Sequence, residues 1–212
     1  MITRRQMAGG LGALAGLALV RPFAALAQLA PADQGEVARI EQYLNRITTV
    51  KARFLQQSSN GGSGGGTFYL QRPGKLRIDY DKPAHMQIYA SSGLLIYVDT
   101  QLEESTYVPL SMTPAGLLVQ ENIRLVGGDV TVTKVDRGQQ VVRVQLVQTK
   151  EPDAGRVTLA FTDQPLELKQ WAVVDARNIV TTVTLLDAEF GGRIDPKVFV
   201  FLDPKFGRNR EQ

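Results

Sequence analysis

The run Gly66–Pro83, GTFYLQRPGKLRIDYDKP, constrains the fold of this chain more than any other part of it. It holds two short β-type runs, Thr67–Gln71 and Lys75–Asp81. The first is closed by Arg72-Pro73-Gly74 and the second by Asp81-Lys82-Pro83. In the second run Leu76, Ile78 and Tyr80 fall on one side, while Lys75, Arg77, Asp79 and Asp81 fall on the other. Successive side chains of a strand point to opposite faces, so this alternation predicts a strand with one apolar face and one wet face. In a chain without visible catalytic machinery, such an apolar face lines either a core or something that the protein carries.

The same signal recurs along the chain. Beyond Thr67–Gln71 and Lys75–Tyr80, strands are expected at Val50–Ser58, Met86–Ala90, Leu94–Asp99, Glu104–Val108, Val130–Asp136, Gln140–Gln148, Arg156–Thr162, Leu166–Val174, Val180–Leu186 and Val198–Phe201. Their connections are short and turn-like, as at Ser92-Gly93 and Arg137-Gly138. None can hold a crossover helix, so the sheet is expected to be largely antiparallel. The run Ser59–Gly66, SNGGSGGG, reads as a flexible hairpin connection. One helix is expected at Asp33–Thr49, capped by Asp33 with Glu36 three residues on, and carrying the stripe Val37, Ile40, Tyr43, Leu44 and Ile47. Thr113-Pro114 can start a second, short one. Val141-Val142 and Val173-Val174 are apolar on both faces and need cover on each. A strongly curved antiparallel sheet with helices on one side meets that need.

The first 27 residues read as an export leader. Arg4-Arg5 opens a positive region, Met7–Val20 is apolar, and Ala25-Leu26-Ala27 fits a cleavage site, with the cut placed after Ala27. Thr3-Arg-Arg-Gln-Met7 suits twin-arginine export, with an ordinary secretory leader as the alternative. Residues 28–212 then form one domain outside the cytoplasm. The leader holds three arginines and no acid, so the 24 basic and 21 acidic residues of the whole chain become 21 of each. Charge therefore lends no support to a nucleic-acid partner or an anionic membrane surface. The absence of cysteine excludes disulfides and a lipidated N-terminal cysteine.

Catalytic signatures are weak. Gly61–Gly66 is followed by a strand and no Lys-Ser/Thr, so it is not a phosphate loop. His85 is the sole histidine, so a zinc site would need carboxylates almost alone, and a serine nucleophile, with no Gly-x-Ser-x-Gly, would have to take His85 as its base. Asp79 and Asp81 share a strand face with Lys75 and Arg77, the pattern of a charge-compensated wet face. Neither a cofactor nor a metal is expected. Arg72 lies between two amphipathic strands and is biased toward an extended backbone by Pro73. It could hold the carbonyls of a neighbouring segment with its five donors. Spacing alone favours a solvated turn arginine.

At these residues the sequence resembles the outer-membrane lipoprotein carrier family, LolA. Its pattern of glycine, aromatic and Arg-Pro followed by an amphipathic strand is matched by Gly66-Thr-Phe-Tyr69-Leu-Gln-Arg72-Pro73 and Lys75–Tyr80. Lys82-Pro83, Ser92-Gly93 and the run Tyr97–Glu104 continue the match. Val50–Gln56 is similar to the family's first strand, Thr113–Leu118 to its lid helix, and Lys197–Phe201 with Pro204 to its C-terminal strand. The resemblance implies a half-open, incomplete β-barrel with a helical lid over an apolar cavity. It implies a periplasmic, monomeric, non-enzymatic carrier that takes lipoprotein acyl chains from an inner-membrane exporter complex to the outer membrane, where an acceptor receives them. Arg72 matches the arginine that latches the lid through hydrogen bonds to lid backbone. Tyr69, Leu76 and Ile78 match cavity-lining strand positions, and Leu44 one on the first helix. Phe68, Leu70, Tyr80, Ile88, Ile96, Leu117 and Leu118 complete the expected ligand-binding set. A lipid-binding or sensor module of the same fold with other cargo is the alternative.

Overall fold

The computed structural model describes residues 29–203, so the leader and its cut after Ala27 lie outside the described residues, as does Pro204. The chain opens with helix α1 (Pro31–Arg46) and then runs through β1 (Thr49–Ser58), β2 (Ser63–Gln71), β3 (Lys75–Tyr80), β4 (Met86–Ser91), β5 (Leu94–Asp99) and β6 (Glu104–Pro109). A 3-10 turn at Leu110–Met112 and the short helix α2 (Ala115–Val119) interrupt the strands. They resume as β7 (Val130–Gly138), β8 (Val141–Gln148), β9 (Gly155–Thr162), β10 (Glu167–Asp175) and β11 (Val180–Phe190).

All eleven strands form one sheet in the order β6-β5-β4-β3-β2-β1-β11-β10-β9-β8-β7. Every ladder is antiparallel. Two meanders, β1–β6 and β7–β11, are thus joined where the first strand pairs with the last. The ends β6 and β7 do not meet, which leaves a half-open barrel. This is the mainly β, curved antiparallel sheet expected from the alternation and the short turns, in the half-open form that the resemblance implies.

The concave face is the apolar one. Val50, Ala52 and Phe54 of β1 pair across to Leu70, Phe68 and Gly66 of β2, and these to Leu76, Ile78 and Tyr80 of β3. Against this floor α1 lays Val37, Ile40 and Leu44, all fully buried. The second meander supplies Val142, Val144, Leu146, Leu159 and Phe161 to the same core.

Three expectations need correction. First, Ser63–Gly66 is strand rather than flexible connection; only Ser59–Gly62 turns. The glycines are there for space: a Cβ on Gly66 would fall 2.0 Å from the Asp79 carbonyl oxygen and 2.7 Å from the Phe54 ring. Without side chains on that stretch, Phe54 and Tyr80 meet edge-to-face over it, with centroids 5.2 Å apart. Second, α1 begins at Pro31, with no side-chain cap. Asp33 pairs with Arg137, and Glu36 with Arg39, which also reaches Asp163, so these groups tie α1 to the far meander instead of capping it. Third, Val198–Phe201 is not a strand. Pro196–Phe199 is a 3-10 turn, and the segment crosses the convex face. There Arg77 donates to the Val198 carbonyl at 2.9 Å, and Phe201 packs on Tyr89 with ring centroids 5.4 Å apart.

Candidate functional site: an apolar chamber under a held helix

Between the concave floor and α2 lies a chamber of about 340 Å³. On the first meander its walls are Phe54, Phe68, Leu76, Ile78, Tyr80, Ile88, Leu95 and Tyr97. The second meander contributes Val157, Leu159, Trp171, Val173 and Val183. Pro114, Ala115, Leu117 and Leu118 form the roof. Polar groups are few: Gln56, Thr113, Asp175 and Thr181 also reach it. The Tyr80 hydroxyl donates to Gln56 Oε1 at 2.8 Å, so this polar pair satisfies itself. Burial pushes the Tyr80 and Tyr97 phenols above their ordinary range, and both stay protonated at neutral pH. Asp175 is committed to its own turn, accepting from the Arg177 and Ile179 amides, and these bonds hold its carboxyl below the usual range. Nothing in the wall offers a nucleophile beside a base, and the lining suits alkyl chains.

The roof is held at its C-terminal turn. Arg72 follows β2 and folds back over the core. Its Nε donates to the Leu118 carbonyl at 2.7 Å and a terminal nitrogen donates to the Leu44 carbonyl at 2.5 Å. One guanidinium thus joins the last turn of α2 to the last turn of α1, where the Leu44 carbonyl also accepts from the Ile47 amide. The next turn adds a backbone bond, Gly74 N–H to the Val119 carbonyl at 2.8 Å. Gly74 has φ of 76°, a conformation that glycine adopts without strain. Among the described residues no carboxylate pairs with Arg72, and burial lowers its pKa to about 10. It is still a cation at neutral pH. A second tie runs through α1: Asn45 both donates to the Ile123 carbonyl and accepts from its amide, and Glu41 accepts from the Leu125 amide.

Of the residues singled out from sequence, Phe68, Leu76, Ile78, Tyr80, Ile88, Leu117 and Leu118 line the chamber. Leu44, Leu70 and Arg72 sit beside it, around a narrow fissure between α1 and the sheet. Tyr69 and Ile96 are elsewhere. Tyr69 pairs with Arg77, Arg77 with Tyr89, and Tyr89 with Ile96, a row on the convex face. Ile96 is buried there with Tyr89 and Val98 under Phe201. Neighbours on one strand cannot share a face, so Phe68 and Leu70 facing inward turn Tyr69 outward. His85 is exposed, Asp79 is paired with Arg77, and Asp81 with Arg53.

The family model for outer membrane lipoprotein carrier protein LolA matches residues 45–202, well over half of the chain. The chain belongs to the LolA family. It is 29% identical over 195 residues to an outer-membrane lipoprotein carrier protein of Methylococcus capsulatus, covering 88% of this chain and 92% of the relative. It is 27% identical over 186 residues to one of Azotobacter vinelandii, covering 83% and 88%. A crystal structure of a DUF1329-family protein from Desulfovibrio piger shares the fold at 11% identity, with a TM-score of 0.51, covering 81% of this chain and 98% of that one.

Within this LolA-family chamber, the largest side chain was not legible from sequence. Trp171 is the sole tryptophan, and it leans on Phe68 with centroids 5.5 Å apart. In β10 the register slips by one residue between Leu168 and Gln170, so Leu168 and Trp171 both face inward despite being three apart. The bulge takes the Leu168 amide out of its regular place, and the Tyr43 hydroxyl of α1 accepts it at 2.9 Å. Plain alternation puts Leu168 and Trp171 on opposite faces. Tyr43 at the centre of the helical stripe was the available hint.

Proposed function

We propose that this LolA-family protein is a periplasmic carrier. It takes the acyl chains of lipoproteins into the chamber beneath α2 and moves them from the inner to the outer membrane. An inner-membrane exporter complex loads it and an outer-membrane acceptor relieves it, with the protein acting as a single chain. The observation that carries the reading is an apolar chamber roofed by a short helix whose Leu118 carbonyl is held by one half-buried cation. In this reading Arg72 is the latch and α2 the lid.

The physical logic is that of a reversible container. Burying a methylene is worth ~0.8 kcal/mol, so a chain of about fifteen contributes roughly 12 kcal/mol gross. Binding that strong needs a route to release. The chamber, at about 340 Å³, sits near the low end of the ~300–1,000 Å³ usual for ligand sites. Large cargo therefore requires α2 to lift, and the closed, latched state competes with the loaded one. Arg72 suits that balance because its bonds to carbonyls are set against the cost of keeping a cation out of water with no carboxylate beside it among the described residues.

The test is mass spectrometry of lipids that co-purify with the mature protein from its own periplasm. Triacylated lipoprotein is the expected cargo. Recovery of free phospholipid or a sterol-like lipid in its place overturns the lipoprotein assignment and makes the protein a carrier of other lipid.

A further inference from the structure

The chamber does not end at its inner wall. Phe68, Leu118 and Trp171 line it on one side and, on the other, line the fissure that runs between α1 and the sheet. The fissure is only about 10 Å³ and is otherwise bounded by apolar side chains such as Leu44, Leu70 and Leu185, with Arg72 at its edge. A space of that size is at the limit for a single water, and an apolar one stays dry. We propose that Phe68, Leu118 and Trp171 form a partition that sets how long an acyl chain the closed chamber accepts, and that longer chains press through it into the fissure and lift Leu118 off the latch. This rests on the carrier reading above and adds a length rule and a coupling to it.

The argument is one of volume and connection. An apolar cavity of ~150 Å³ holds one benzene, so a chamber of about 340 Å³ takes on the order of a dozen carbons. A longer chain has two ways out: back through the mouth or forward through the partition. Forward, it meets Trp171, half-buried and packed against Phe68, and Leu118 on the roof. Leu118 is the residue whose carbonyl Arg72 holds. A chain that displaces its side chain moves the same turn of α2 and loosens that bond. The fissure closes again when the chain leaves, so the partition returns to place without a separate trigger. Trp171 is in this sense a specificity-determining residue, and Leu118 is the link between cargo length and lid release.

The experiment uses the mature protein and a series of single-chain lysophospholipids from about eight to about eighteen carbons. Affinity is read by calorimetry and lid release by hydrogen exchange at the Gly74 amide, whose acceptor is Val119 of α2. In the wild type, affinity rises about fourfold per methylene, the equivalent of ~0.8 kcal/mol, up to roughly a dozen carbons. It then flattens, and from the same length Gly74 exchange accelerates at least about tenfold. W171L shifts both breaks to longer chains. L118A, which widens the partition from the roof side, shifts the affinity break without touching the tryptophan and guards against a folding defect in W171L. A rise with no break overturns the partition. So does a break that neither variant moves, because the extra carbons then leave by the mouth. Both results leave the carrier reading standing. Failure of every chain length to bind the wild type overturns the carrier reading itself.

Discussion

Replacing Arg72 with leucine should loosen α2 on the sheet, and the bonds that Arg72 makes set by how much. The guanidinium makes one bond into α2, to the Leu118 carbonyl, and one into α1, to the Leu44 carbonyl. A hydrogen bond from a charged donor is worth ~1.5–3 kcal/mol. α1 keeps its buried stripe and its ion pairs to the far meander, so loss at Leu44 costs it little. α2 has five residues, anchored otherwise by the buried Leu117, Leu118 and Val119 and by the Gly74 bond to Val119. Losing the Leu118 bond should raise its opening equilibrium by ~10- to 100-fold, at 1.36 kcal/mol per decade. Global stability moves far less. The variant also removes a cation that burial penalises, already visible in a pKa of about 10, and puts an alkyl side chain beside Leu44, Leu70 and Leu118. The midpoint of thermal unfolding is expected to shift by no more than about 4 °C. Native-state hydrogen exchange supplies the assay with its own control. The Gly74 amide bonds α2 at Val119, while the amide of residue 72 bonds Thr48, outside the lid. Gly74 should exchange ~10- to 100-fold faster in the variant while residue 72 keeps its protection. Equal protection of Gly74 in both proteins would refute the latch, and so would uniform acceleration of both amides, which signals global loosening. Cargo transfer to the acceptor side should be impaired with the same variant.

Other outcomes follow from the same geometry. Trp171 is the sole tryptophan and faces the chamber, so loading with an acyl-chain probe should blue-shift its emission and reduce acrylamide quenching; unchanged quenching at saturation places the probe elsewhere. Gly66→Ala puts a Cβ against the Asp79 carbonyl and should cost more than ~2 kcal/mol in urea unfolding, whereas Gly62→Ala, whose nearest neighbours lie at 3.5 Å or beyond, should stay within about 1 kcal/mol. Asn45→Ala leaves the Ile123 amide and carbonyl without their partner and should cost ~1–3 kcal/mol, with limited proteolysis appearing first between α2 and β7; resistance equal to wild type there would mean that the tie from Asn45 does not hold this connection.

How much of this was written in the sequence can be judged from particular residues. Alternation in Lys75–Tyr80 and the short turns required an antiparallel sheet, and the helical stripe Val37, Ile40, Leu44 required a helix on its apolar side. These are local properties: side-chain period and turn chemistry do not wait for the rest of the chain. Arg72 was visible as an arginine at a rim, but its two carbonyl partners lie 28 and 46 residues away, so its task depended on where the helices came to rest. Tyr69 and Ile96 illustrate the limit of a two-faced pattern. Alternation says that a strand has two faces; only closure of the sheet makes one of them concave, and the strap at Phe201 then buries Ile96 on the other. Trp171 illustrates a second limit. A single-residue bulge reverses the facing of everything beyond it, and Lys169, the inserted residue, carries no mark of that role. The strands, their antiparallel order and an apolar helix face were therefore determined by the sequence alone. The chamber, the Arg72 bonds to two helices and the tryptophan wall were decided by tertiary structure, because each is made of groups that meet only when distant strands and helices pack.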